Sequence, residues 1–389
     1  MNGSQAPNFG RAIRAGALVG LLALFTSIGG YAIHPEQFFR SYLLAFVFWI
    51  GFPLGSMAIL MMHHLTGGDW GLPIRRPLEA ATRTFPLMFI LFLPLIFGLK
   101  RLFPWAQPGG LGDDPILKFK RMYLSLNFFM LRALIYFVIW FVLSHFLNKW
   151  SEEQDRTGNP ATAKWLEGMS GPGLILYGLT LTYAMVDWVM SLQPHWFSTI
   201  LGMIFMMVGA LGAMSLAIVV ARALSKYEPM AHIVTPDQFN DLGNLLLAFV
   251  MLWAYLSFSQ FLIIWSGNLP KEISWYLVRA NGEWAALAVF LIVFHFAIPF
   301  LLLLQRNLKR RIQTLAMIGG ALIAISLVDV YWLVAPAFEP DGPRVHPLDL
   351  TLLVAIGGLW VATFAWQLSR RPLVPLHDPR FEGVLQHGD

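Results

Sequence analysis

Cysteine is absent from the 389-residue sequence. That absence excludes disulfides, thiolate-bound iron–sulfur clusters, zinc–thiolate sites and covalently attached c-type haem. Charge is scarce too. Asp, Glu, Lys and Arg make up 13% of residues, against roughly a quarter in soluble domains. There is no glycine-rich phosphate loop and no metal-ligand spacing. No connection between apolar runs is long enough for a soluble domain. The net charge of +5 is not read as a nucleic-acid footprint, because a membrane protein gains positive charge from its cytoplasmic loops. What fills the chain is apolar, at 57% of residues. The length would allow two or three soluble domains, but this composition points to one all-α polytopic membrane protein.

A helix needs roughly 20 apolar residues to cross a bilayer core. Ten runs qualify as transmembrane helices: Ala15–Ile33, Tyr42–Met62, Phe85–Leu99, Met122–Leu147, Gly171–Leu192, Trp196–Ala221, Leu242–Trp265, Trp284–Leu304, Ile312–Pro336 and Leu350–Leu368. The third is the weakest, being short and holding Pro86 and Pro94; Lys100 and Arg101 can snorkel to extend it. The first run exceeds a signal-peptide core of roughly 7–15 residues and lacks a cleavage signal, so it is expected to stay as a helix. Nearly twice as many of the 27 Lys and Arg residues fall on the side of the termini as on the other side. Both termini are therefore expected in the cytoplasm, with residues 370–389 as a cytoplasmic tail. Trp70, Trp105, Trp150, Trp165, Trp196, Trp265, Trp275 and Trp284 lie at or near span ends, as interface anchors do.

Ionisable groups within spans cost roughly 2.5–3.5 kcal/mol each on insertion scales, so each needs a reason. At about 1.5 Å of rise per residue, Arg132, Asp187, Asp329 and Gln260 fall in the outer half of the membrane, Glu283 at its outer surface and His295 near the middle of span eight. Asp187 shares a helical stripe with Tyr177, Thr180 and Ser191, with Tyr183 one turn away. Such a face can hold a water file for protons or pack on a neighbour through interhelical hydrogen bonds. Arg132 is the simplest ion-pair partner for Asp187. Asp329, Glu283, Gln260 and His295 are expected to form a second polar group. His295 is the one deep histidine, so no matched pair is available to a bis-histidine haem, and the chain is expected to ligate no cofactor or metal of its own. His63 and His64 read as interfacial caps or lipid contacts, and Arg75 and Arg76 as facing lipid phosphates. The glycine pairs at 29–30, 319–320 and 357–358 permit close helix approach.

Several longer stretches are more specific: "HHLTGGDWGLPIRRPLEAATRTFP" (His63–Pro86), "DWVMSLQPHWFSTI" (Asp187–Ile200), "LWAYLSFSQFLIIWSGNLP" (Leu252–Pro270), "FHFAIPFLLLLQRNLKR" (Phe294–Arg311) and "VDVYWLVAPAF" (Val328–Phe338). Together they resemble the F subunit of bacterial alternative complex III, a quinol:cytochrome c oxidoreductase, a subunit also described as quinone-binding subunit 2. The resemblance implies a fold related to the polysulfide-reductase membrane subunit. It would have two four-helix bundles, residues 41–193 (spans two to five) and 194–336 (spans six to nine), with residues 12–33 and 350–369 as peripheral spans. It implies as partners a sister membrane subunit of the same fold, an iron–sulfur subunit, multihaem and monohaem cytochrome c subunits and, in some settings, a terminal oxidase. Quinol, iron–sulfur clusters and haem c would belong to those partners. The expected role is a non-redox subunit in the bacterial inner membrane that scaffolds the complex and offers protons a path. The alternatives are a quinol site in this chain, with an acid such as Asp187 accepting the proton, and, more remotely, a secondary transporter.

Overall fold

The computed structural model describes residues 7–375 and 377, apart from 111 and 113. The tail from 378 onward, including His387, and the side chain of His232 lie outside the described residues. Among the described residues the chain is helical, with no strand. Ten helices are long and apolar enough to cross a membrane: α1 (Phe9–Ile33), α2 (Pro35–Thr66), α3 (Phe85–Leu102), α4 (Leu126–Thr157), α5 (Ala161–Trp188), α6 (Leu201–Leu224), α7 (Pro236–Gly267), α8 (Gly282–Leu304), α9 (Ile312–Val334) and α10 (Pro347–Ser369). The protein is thus an all-α multi-pass membrane protein. We call the side where α1 starts and α10 ends the near face, and the other the far face.

Local chemistry sets the helix ends. Thr235 caps α7, with Gln238 completing a capping box and Pro236 in the first turn, where a missing N–H costs nothing. The same helix stops at Asn268, whose φ of 46° is left-handed, a conformation asparagine tolerates. Gly67 and Gly158 end α2 and α4 with φ of 68° and 62°. Prolines 53, 94 and 172 lie inside α2, α3 and α5, tolerated because packed neighbours satisfy the freed backbone groups.

Helices α2, α3, α4 and α5 close one ring of contacts, and α6, α7, α8 and α9 close a second. The rings meet mainly where α2 packs on α6. A Cβ on Gly55 would lie 2.0 Å from the Gly209 carbonyl oxygen, so only glycine lets these two backbones approach so closely. Outside the rings, α10 packs on α2 and α1 packs on α10. The latter contact uses Gly16, Gly20 and Gly358, where a Cβ on Gly358 would lie 2.6 Å from the Gly20 backbone. Of the glycine pairs expected to mediate close approach, Gly30 meets Leu348, Gly319 the Ser215 backbone, Gly357 Trp49 and Gly358 the Gly20 backbone, while Gly29 and Gly320 meet nothing within 4 Å.

The connection between α2 and α3 is not an exposed loop. A short helix, Leu72–Thr82, has every residue buried, Arg75 and Arg76 included. The expectation that these arginines face lipid phosphates is corrected: they are consumed inside the protein. His63 and His64 are buried as well, with His63 Nε2 3.2 Å from the Gly68 carbonyl, so they are not lipid contacts. The tryptophans divide: Trp165 and Trp265 are exposed, but Trp105, Trp196, Trp275 and Trp284 are packed within the protein rather than serving as lipid anchors.

Candidate functional site

Three polar centres stand out, one at the near face and two in the far half. At the near face, Glu79 on the short helix is completely buried. Arg75 Nε donates to it at 2.9 Å, Arg76 Nη1 at 2.5 Å and Ser151 Oγ of α4 at 2.6 Å. Arg76 also pairs with Asp155 and donates to the Val374 carbonyl, while Arg371 lies 3.7 Å from Glu79. The cluster thereby ties the short helix to α4 and to the chain after α10. Burial alone would raise the Glu79 carboxyl; the guanidiniums of Arg76, Arg75 and Arg371 and the Ser151 hydroxyl outweigh it and hold it well below the usual carboxylate range. Arg83 is pulled down to about 10 by burial, assisted by the charges of Arg371 and Arg76.

In the first ring the structure brings Arg132 of α4 and Asp187 of α5 together. Two parallel hydrogen bonds join them, Nε to Oδ2 at 2.9 Å and Nη2 to Oδ1 at 2.7 Å. Tyr136, absent from the sequence reading, donates to the same carboxylate at 2.8 Å. It lies one turn beyond Arg132 on α4, a spacing that could have singled it out. The guanidinium also donates to the Tyr123 carbonyl and stacks on the Tyr123 ring, 3.7 Å from its centroid. Both oxygens of Asp187 are therefore engaged.

The members of the stripe around Asp187 differ in their surroundings. Ser191 donates to the Asp187 carbonyl and accepts from Trp105, and Thr180 accepts from Trp140. The buried Tyr177 hydroxyl makes no hydrogen bond. Tyr183 is half exposed.

The second ring is built differently. Asp329 of α9 is buried and accepts one hydrogen bond, from Trp253 Nε1 of α7 at 2.8 Å. Among the described residues, no lysine or arginine pairs with it. His295 of α8 lies beside it, with Nδ1 3.7 Å from Oδ2 and Nε2 3.5 Å from Ser326 Oγ. His295 sits in a π-helical turn, Ile292–Ala297. Pro299, four residues on, has no N–H for the His295 carbonyl, which accounts for the widened turn. Such turns recur at functional sites. The expected four-residue group is only partly assembled. Gln260 accepts from Ser198 and donates to Tyr276, away from His295, and Glu283 is exposed at the far end of α8.

Asp329, Trp253 and Gln260 border a cavity of about 740 Å³, within the roughly 300–1,000 Å³ range of small-molecule sites. Its walls are mainly apolar side chains of α7 and α8, and its far end is roofed by the helix Pro270–Arg279. Trp196 pins that roof: its ring stacks on Trp275 at 4.9 Å and its N–H donates to the Glu272 carbonyl. Arg279 closes the roof, buried against the Trp275 ring at 3.6 Å. Neither cavity nor roof was visible in the apolar pattern. Among the described residues, no three His, Cys, Asp or Glu side chains are grouped as a metal would require. No family model and no curated protein matches the sequence.

Proposed function

We propose that this chain is a non-redox membrane subunit of a quinol:cytochrome c (or other high-potential acceptor) oxidoreductase, scaffolding the complex and carrying protons through its second helix ring. The five long motifs that resemble the F subunit of alternative complex III support the assignment. In this reading the near face is cytoplasmic, the membrane is the bacterial inner membrane of a respiratory or photosynthetic chain, and the quinol, iron–sulfur clusters and haem c belong to partner subunits.

One structural observation carries the proton role: Asp329 and His295 sit side by side, buried between α7, α8 and α9, with no fixed cation holding the carboxylate charged. An acid and an imidazole within a membrane protein are the groups from which proton relays are made. Asp187 has the opposite character. Arg132 and Tyr136 engage both its oxygens, and the guanidinium holds it charged, which suits a structural tie.

The test is proton release in vesicles containing the reconstituted complex. Asp329→Asn should assemble fully and lower proton release per quinol oxidised several-fold, and Asp329→Glu should restore part of it. Unchanged proton release in a fully assembled Asp329→Asn complex would contradict the proton role.

A further inference from the structure

Among the described residues, Arg279 is a buried cation without an anion. It is 1% exposed, and three of its N–H groups go to the carbonyls of Trp275, Trp332 and Leu333. A guanidinium has five N–H donors and does not lose its charge in proteins, so two donors and a full charge remain. Burial pulls its pKa well below the ordinary value, with only Tyr276 opposing; no acidic group among the described residues faces it. An uncompensated buried charge is expensive, and Arg279 borders the apolar cavity.

The cavity has the dimensions of one lipid leaflet. Along α7 it runs from Phe261 back to Met251, and along α8 from Ala285 to Phe296. These lengths are about 15 and 17 Å at helical rise, against about 30 Å for the whole hydrocarbon core. It also opens sideways: Tyr255, Phe258, Val289 and Ile292 line it and are exposed on the surface of the membrane-spanning helices. A chain can therefore enter from the bilayer, with its head at the level of the roof.

We propose that this cavity is a phospholipid site, with the phosphodiester on Arg279 and an acyl chain lying between α7 and α8 toward Trp253. The phosphate supplies the missing negative charge and accepts the two remaining N–H groups. A neutral quinone head would leave the guanidinium uncompensated, which is why the observations favour the phospholipid.

Native mass spectrometry of the purified protein tests this, after delipidation and titration with dioleoyl phosphatidylglycerol. The expected result is one tightly held lipid per chain. Arg279→Gln should weaken retention about tenfold or more, the loss expected for a charged hydrogen-bonded contact. Ala288→Phe, which fills the cavity and leaves Arg279 intact, should also lose the lipid, so the proposal stays testable if the arginine variant fails to fold. Equal retention by wild type and Ala288→Phe would overturn the site. Displacement of the lipid by equimolar ubiquinone or menaquinone would overturn it in favour of a quinone. Oleate held as tightly as phosphatidylglycerol would overturn the phosphodiester assignment. These readouts do not involve proton release, so they stand or fall separately from the role of Asp329.

Discussion

Asp187→Asn removes one charge from the two-bonded ion pair with Arg132 and nearly nothing else. The asparagine keeps the shape and one acceptor oxygen. Arg132 would keep its bond to the Tyr123 carbonyl and its place on the Tyr123 ring, but its two bonds to a carboxylate would become at best one to an amide. Breaking a buried pair by removing one partner typically costs about 3–5 kcal/mol, a large share of the roughly 5–15 kcal/mol that holds a domain folded. Replacing both partners by apolar residues of similar volume is often near neutral. Arg132→Met with Asp187→Leu should therefore be more stable than Asp187→Asn alone. Tyr136→Phe, which removes one hydrogen bond to the carboxylate, should cost about 1.5–3 kcal/mol. The assay is thermal stability in detergent, read as the monodisperse fraction after heating, arranged as a double-mutant cycle. An Asp187→Asn protein as stable as wild type, with the double variant worse than either single one, would refute the reasoning.

Glu79 predicts a pH dependence. A carboxylate held below its ordinary value in the fold contributes stability above the unfolded value of about 4.3 and loses it as pH falls toward the folded value. Wild type should therefore lose stability as pH falls below about 4.3, while Glu79→Gln should be less stable at neutral pH and lack that acid-dependent loss; parallel pH profiles of melting temperature would show that the cluster does not hold the near face. Gly55→Ala places a methyl 2.0 Å from the Gly209 carbonyl, where backbone must move, and should cost at least about 1–3 kcal/mol. Gly29→Ala, with open space around it, should leave the monodisperse fraction unchanged. Trp253→Phe removes the one hydrogen bond to Asp329 and should alter proton release without impairing assembly, measured in the same vesicles as Asp329→Asn.

The ten spans could be read from the sequence because each is a long apolar run, and hydropathy needs no knowledge of neighbours. Arg132 and Asp187 could be matched because they fall in the same half of consecutive spans. The segment Leu72–Thr82 could not be placed. Its Arg-Arg-Pro-Leu-Glu stretch is polar enough to read as a surface loop, and only the facing Ser151, Gln154 and Asp155 on α4 turn it into buried structure. The half exposure of Tyr183 was not legible, because a helical stripe drawn on α5 alone does not say which neighbour covers each residue. Gly55 and Gly209 escaped notice because they are single glycines some 150 residues apart, whereas glycine doublets drew attention to positions such as Gly29 that touch nothing. The cavity arises from the spacing between α7 and α8 under a short roof, a property of how helices pack rather than of any one run of residues.

The central claim is that this chain works inside a quinol-oxidising complex. The direct measurement is mild-detergent purification through an affinity tag on this chain from its native membranes, followed by visible spectroscopy and a quinol oxidation assay. The account predicts co-purification of haem c-bearing polypeptides, an iron–sulfur protein and a second multi-pass subunit, with quinol oxidation in the same fraction. Recovery of this chain with no haem absorption and no quinol oxidation, from membranes in which the complex stays intact, would contradict it.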